Sequence, residues 1–220
     1  MFKGDAQEAV PIVDAVMTEI LLHTPSQGRT GFLLREAVNA FRVDAMALMM
    51  ANNAADSLLN IFTLAQVFAL PEMESVRLVA AAQNAVSVGA ILIRDSMVQY
   101  ALVAEGVIIA NMPFTSRDEV EVLQPMISAA YGPAEEAAAD AIDAAMYQAL
   151  IGMHAAVTHF LTNTAQPLPM MLSFRFATPL PTLVAAYKLY SDASRADDLR
   201  AQNSVVHPAF MLPVGRALSQ

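Results

Sequence analysis

The 220-residue chain contains no cysteine, which removes disulfides, thiol catalysis and thiolate metal sites and leaves the redox compartment open. Basic residues are scarce: 12 Lys and Arg stand against 21 Asp and Glu, a formal net charge of −9. Between Glu105 and Asp143 the acidic residues are opposed only by Arg117. Such a field repels phosphate, and phosphate neutralisation needs clustered Lys or Arg, so nucleic acid is not an expected partner of this chain alone. A basic n-region ahead of an apolar segment is missing near Met1, where Asp5 and Glu8 lie, so a secretion signal is not expected. Long apolar runs are missing too. The longest stretch without Asp, Glu, Lys or Arg, Ala144 to Phe174, is interrupted by Gln148, His154, His159, Asn163, Gln166 and prolines, whereas a membrane span needs about twenty consecutive, mostly apolar residues. No GxSxG, Walker or GxGxxG motif occurs.

What is abundant is apolar. The hydrophobic fraction is 56% and the mean hydropathy +0.44, carried by Ala, Val, Leu and Met in helical patterns where surface charges would ordinarily stand. The expected fold class is mainly α: a long-helix bundle, the helical assembly domain of residues 1–166, followed by a small C-terminal α+β module at 167–220. Ala9, Val13, Val16, Met17 and Ile20 form one stripe, with Pro11 placing the helix start near or after itself. "HTPSQGRTG" reads as a loop. From Phe32 to Leu70 the spacing is helical with Asn52-Asn53 as its weak point. Pro71 restarts a helix toward Ala110 that would approach ~60 Å unbroken at ~1.5 Å per residue, so a break is expected at Gly89 or Gly106. "NMPFTS" ends in Ser116, which with Glu119 forms a capping box for the next helix. Gly132-Pro133 is expected to close that helix and open another over Ala134 to Leu161.

The last fifty residues read as a LysM-like βααβ module. Leu172, Phe174 and Phe176 alternate with Ser173 and Arg175, predicting a strand with one face in a core. Pro179 and Pro181 suit a helix entrance before Leu183, Val184, Tyr187 and Leu189. Ser194 with Asp197 predicts the start of a second helix, the serine hydroxyl accepting from the third helical N–H, and Asn203 is its exit. Pro208 and Pro213 stop further helix. Gly215 allows a turn, and Ala217 and Leu218 return beside the first strand.

The wording "LPTLVAAYKLYSDASRADDLRAQNSVVHPAFMLP" resembles the C-terminal end of the DNA circularisation protein of Mu-like contractile-tailed phages. "IRDSMVQYALVAEGVIIANMPFTSRDEVEVL" and "YQALIGMHAAVTHFLTNTAQPLPMM" are similar to the helical part of the same family. The resemblance runs from about Ile91 to the C-terminus. It implies a virion protein of the tail and baseplate or hub, present in host cytoplasm during assembly, whose partners are other tube, hub, wedge or sheath proteins and itself. Family members usually carry a further glycine- and β-rich N-terminal domain, whereas this chain starts directly in a helical pattern, so a DNA role placed on that domain does not transfer.

Candidate chemistry is sparse. His154 and His159 stand five apart, about 140° around a helix, so they do not share the face that an i, i+4 zinc pair requires. They read as polar contacts inside a bundle or at an interface. Glu135, Glu136, Asp140 and Asp143 read as a solvated acidic face or a surface for a basic partner. His207, next to Pro208, reads as a packed loop histidine bonded to backbone. Met46, Met49 and Met50 read as adaptable packing. No catalytic residue, cofactor or metal is assigned. The interaction candidates are Ser116, Glu119, Tyr187, Tyr190, Ser194, Asn203, His207, Pro208 and Phe210. The resulting expectation is a non-enzymatic structural protein that acts through protein contacts, with DNA-end binding and LysM-type peptidoglycan binding as alternatives.

Overall fold

A computed structural model describes residues 1–219. The protein is mainly helical, with a small C-terminal two-stranded sheet. In order, the elements are α1 (Lys3–His23), α2 (Arg29–Met50), α3 (Ala54–Leu64), α4 (Leu70–Ala81), α5 (Val88–Asn111), α6 (Arg117–Asp140), α7 (Ala144–Ala165), β1 (Met171–Arg175), α8 (Thr182–Tyr190), α9 (Ala196–Gln202) and β2 (Val214–Leu218). Two compact units are formed: unit 1 is residues 1–112 and 127–157, unit 2 is 113–126 and 158–220. The expected boundary at 166/167 falls inside unit 2.

In unit 1, α1 packs on α2, α4 and α5, and α4 lies along α5. The α1 stripe is the core that its spacing predicts: Ala9, Ile12, Val13, Val16 and Ile20 are buried. Pro11, however, lies inside α1, which begins at Lys3. Proline removes one donor and frees the carbonyl four residues back. Here both Pro11 and Gln7 are exposed, which puts that carbonyl on the solvent side of the helix, while buried Ala6 and Ala9 hold the first turns in place. The same physics corrects the expectation at Gly132-Pro133: α6 runs through it to Asp140. Pro133 and Ala129 face solvent, and buried Ile127, Ala130, Tyr131 and Ala138 anchor the inner side. The interruption comes instead at Ala141–Asp143, where Ile142 adopts φ 56° and Asp143 Oδ1 accepts from Met146 N at 3.0 Å to cap α7.

Neither Gly89 nor Gly106 breaks the long central pattern, which is cut at Ala82–Ser87 between α4 and α5. Ser87 caps α5 through Ala90 N at 3.3 Å, and Glu8 reaches across from α1 to accept from Val86 N at 2.6 Å and Ser87 N at 3.1 Å. Gly89 serves close approach: a Cβ there would stand 2.7 Å from Asp5 Cβ on α1. Asn52, with φ 58°, separates α2 from α3 where the sequence is weakest.

Unit 2 holds the small sheet. β1 and β2 pair antiparallel with Leu172 opposite Ala217 and Phe174 opposite Gly215. Phe174, Ala185, Ala186, Tyr190, Leu199, Met211 and Ala217 make its core. The alternation is only partly a burial pattern: Phe174 is buried, but Leu172 is 53% exposed, because a two-stranded sheet covers one face over little of its length. Thr182 opens α8 and spends both its N–H (2.7 Å) and its hydroxyl (2.6 Å) on the Pro208 carbonyl.

A buried ion pair joins α4 to α5: Arg77 Nε lies 2.8 Å from Glu105 Oε1, with 8% and 2% of each residue exposed. Burial pushes the Glu105 carboxyl up, and the Arg77 charge and hydrogen bond pull against it. Arg77→Ala is expected to destabilise the protein by about 3–5 kcal/mol, since it strands a buried carboxylate. The double replacement Arg77→Met with Glu105→Leu should recover most of that loss in denaturant titrations.

Candidate assembly surface

Six acidic and six basic residues fall in unit 2, and the remaining 15 acidic and 6 basic residues fall in unit 1, so the whole net charge belongs to unit 1. Most of the cations are engaged locally. Arg42 pairs with Asp14, Arg94 with Asp95, and Arg200 with Asp197. Arg35 donates to the Pro25 carbonyl, Arg117 to the carbonyls of Ala165 and Gln166, and Arg195 lies 3.8 Å over the Tyr190 ring. Guanidinium groups tied to carbonyls and carboxylates are poorly placed to follow a phosphate backbone.

Ser116 and Glu119 sit at the start of α6 as capping groups. Ser116, 1% exposed, accepts from Glu119 N at 3.4 Å, while the Glu119 carboxylate takes the Thr115 N–H at 2.8 Å and its hydroxyl at 2.7 Å. Burial acts to raise that carboxyl, but the hydrogen bonds from Thr115 and Ser116 outweigh it and hold it below the ordinary range. Ser194 is not the helix cap. It lies in a 3-10 turn, Ala193–Arg195, where its N–H donates to Asp192 Oδ1 at 2.8 Å and its hydroxyl to Asp192 Oδ2 at 2.9 Å. Asp192 draws both the N–H and the hydroxyl of Ser194 to itself, so that hydroxyl is turned away from the helix start, and α9 begins at Ala196. Asn203 does follow α9, and its larger role is tertiary. Its carboxamide accepts from Arg216 N at 2.7 Å and donates to the Arg216 carbonyl at 2.7 Å, as a neighbouring strand would.

The aromatic candidates separate. Tyr190 is buried, whereas Tyr187 is 63% and Phe210 72% exposed. Tyr187 shares the outer face of α8 with exposed Leu183 and Val184. Phe210 lies tilted at 5.3 Å from the His207 ring, and His207 Nδ1 accepts from Ala209 N at 3.2 Å; the backbone bond is the one expected, but the histidine is exposed and not packed. Pro208 supplies the carbonyl that anchors Thr182. Val206, Leu212 and Val214 are exposed in the same C-terminal segment. Unit 1 likewise leaves Val86, Val88 and Leu92 in solvent. A cleft of about 430 Å³, lined by Val88, Ile91, Leu92, Ala137 and Met146 among others, lies in that unit.

One polar cluster was not legible in the sequence. His154 Nδ1 stands 2.9 Å from Glu135 Oε1 and its Nε2 3.4 Å from Ser128 Oγ, while its ring stacks on Tyr131 at 5.1 Å. Tyr131, 0% exposed, donates to the Leu102 carbonyl at 3.3 Å, and burial drives its hydroxyl well above the ordinary range, helped by Glu105. The order Ser, His, Glu is that of a hydrolytic triad. Ser128, however, sits within α6, whose interior N–H groups are spent on the helix, so no backbone donors converge on an oxyanion beside it. The Ser–His distance is also long for proton transfer. The only local sign was the i, i+7 spacing of Ser128 and Glu135; their meeting with His154 depends on how α6 and α7 align. Among the described residues no group of three or more candidate ligands could hold a metal, and no helix is long and apolar enough to cross a membrane.

Acid titration reads the hydrogen-bonded carboxylates. Glu8, Glu19 and Glu119 are all held below the ordinary range, Glu8 chiefly by Ser87, Glu19 by the Ser75 hydroxyl at 2.5 Å. Their contribution to stability is complete above the unfolded carboxylate range and is lost as pH falls through their lowered values. Glu105 acts in the opposite sense, since protonation relieves its burial. The melting temperature is expected to fall below about pH 4, and Glu119→Gln should flatten that acid limb.

No known family's model matches the chain, and no curated protein matches it either.

Proposed function

We propose that this chain is a non-enzymatic structural component of a contractile phage tail, placed at the baseplate or hub, and that it works by binding other tail proteins and itself. The observation that carries the reading is the amount of large apolar side chain left in solvent on two small units: Val86, Val88 and Leu92 in one, Leu183, Tyr187, Phe210 and Leu212 in the other. Large apolar side chains left in water, with Leu183 and Tyr187 one turn apart on α8 and Val88 and Leu92 one turn apart on α5, are what an interface would cover. The resemblance of the sequence from about Ile91 onward to the DNA circularisation proteins of Mu-like phages supports the tail setting. The LysM-like character of the C-terminal module belongs to the same proposal. DNA-end binding is disfavoured by the acidic balance and by the local engagement of the arginines.

Val88→Glu and Leu183→Glu replace residues 82% and 61% exposed, so neither should cost the isolated protein much stability. Both are expected to abolish tail assembly in a phage complementation assay. Deletion of the gene with infectious particles and normal baseplates still produced would contradict the reading.

A second reading has one specific observation in its favour: Tyr187 and Phe210 are exposed instead of filling the module's core, and exposed aromatics suit sugar faces. Purified sacculi should nevertheless fail to retain the protein. Retention that disappears in Tyr187→Ala would replace the assembly reading with peptidoglycan binding.

A further inference from the structure

The two edges of the small sheet are treated differently. Ser219 N donates to the Met170 carbonyl at 2.7 Å and Phe176 N to the Pro213 carbonyl at 2.6 Å, which fixes the ladder: residues 170, 172, 174 and 176 bond across to β2, and Met171, Ser173 and Arg175 turn their N–H and C=O groups outward. On β2 the outward groups of Arg216 are closed by the Asn203 carboxamide. Among the described residues Met171 N alone is taken on β1, by Asp118 Oδ2 at 2.6 Å, and just before the strand Arg117 N closes the Pro169 carbonyl at 2.9 Å. Ser173 and Arg175 are exposed, and a hollow of about 600 Å³ lies between the start of α6 (Ser116, Asp118, Glu119, Val122) and Met171, Ser173 and Arg216. An open edge of this kind is a template for another strand.

We propose that β1 is a self-association edge: two copies of the chain pair antiparallel through Met171–Arg175, centred on Ser173, and continue the sheet as β2-β1-β1-β2. The occupant is a second copy because β1 is self-complementary in that register. Ser173 falls opposite Ser173 of the second copy and exchanges both backbone groups with it, and each Arg175 N–H meets the Met171 carbonyl opposite. Arg175 has no carboxylate partner among the described residues. In the pair the Arg175 carbonyl displaces Asp118 Oδ2 from the Met171 N–H of the second copy, and the released carboxylate meets the unpaired Arg175 cation at each end. Leu172, apolar yet 53% exposed, falls opposite Phe174 of the second copy on the core face of the sheet, the cross-strand pairing that its sequence alternation anticipates. The inference stands on the edge geometry and does not require the tail setting.

Sedimentation of the full chain across the micromolar range tests it, with a reversible dimer expected. Ser173→Pro removes only an outward donor and should fold, with an unchanged melting temperature as control, yet weaken the dimer about a hundredfold. Arg175→Glu should weaken it about tenfold. The absence of native cysteine allows a second, independent test. Hydrogen-bonded antiparallel partners lie about 5.5 Å apart at Cα, within disulfide reach, so Ser173→Cys should yield a disulfide-linked dimer under mild oxidation while exposed Ala209→Cys stays monomeric. A monomer at every concentration overturns the proposal. So does a dimer that Ser173→Pro leaves intact, or cross-linking of Ser173→Cys no faster than that of Ala209→Cys, or capture of another protein's extended segment on β1 by a chain that remains monomeric.

Discussion

The need to bury apolar surface governs how this chain folds. More than half of the residues are hydrophobic, yet the chain forms two units instead of one large interior. A small unit buries a smaller fraction of its surface than a large one does, so apolar side chains remain outside. In unit 1 the interior is closed by α1 against α2, α4 and α5, and Val86, Val88 and Leu92 fall beyond it. In unit 2 a core built on Phe174, Tyr190, Leu199 and Met211 leaves Leu172, Tyr187, Phe210 and Leu212 exposed. Apolar surface in water is what assembly relieves.

Polar groups inside the units act as positioning devices. Arg77 and Glu105 fix α4 against α5, and Glu8 crosses from α1 to seat the start of α5. Asn203 performs a similar task in unit 2, where a two-stranded sheet would be marginal unaided. Gly215 belongs to the same arrangement: a Cβ there would collide with Asn203 Oδ1 and lie 2.7 Å from Phe174 Cζ. The close approach of β2 to Asn203 and Phe174 thus needs a residue without a side chain.

Local signals in the sequence read well where one element decides the outcome. The α1 stripe, the separation of α2 and α3 at Asn52, the Ser116 start of α6 and the return of Ala217 beside Leu172 are all of this kind. Readings failed where solvent exposure or a competing side chain decided. Pro11 and Pro133 were tolerated because the carbonyls they free lie on the solvent side of their helices, and Ser194 lost its capping role to Asp192. The cluster of Ser128, Glu135 and His154, and the pair of Arg77 and Glu105, depend on the alignment of separate helices, which periodicity does not encode. The unequal sheet edges were hidden for the same reason, since Asn203 announces a helix exit in the sequence and a strand partner only in three dimensions.

On the proposed function, the exposed apolar faces are assembly interfaces of a contractile tail. Imaging an intact tail at side-chain detail would see those faces themselves. This chain is expected at the baseplate or hub in a fixed number of symmetry-related copies, with the Leu183–Tyr187 face of α8 and the Val88–Leu92 face of α5 covered by other chains. Particles that lack the chain, or that carry it with both faces bare to solvent, would contradict it.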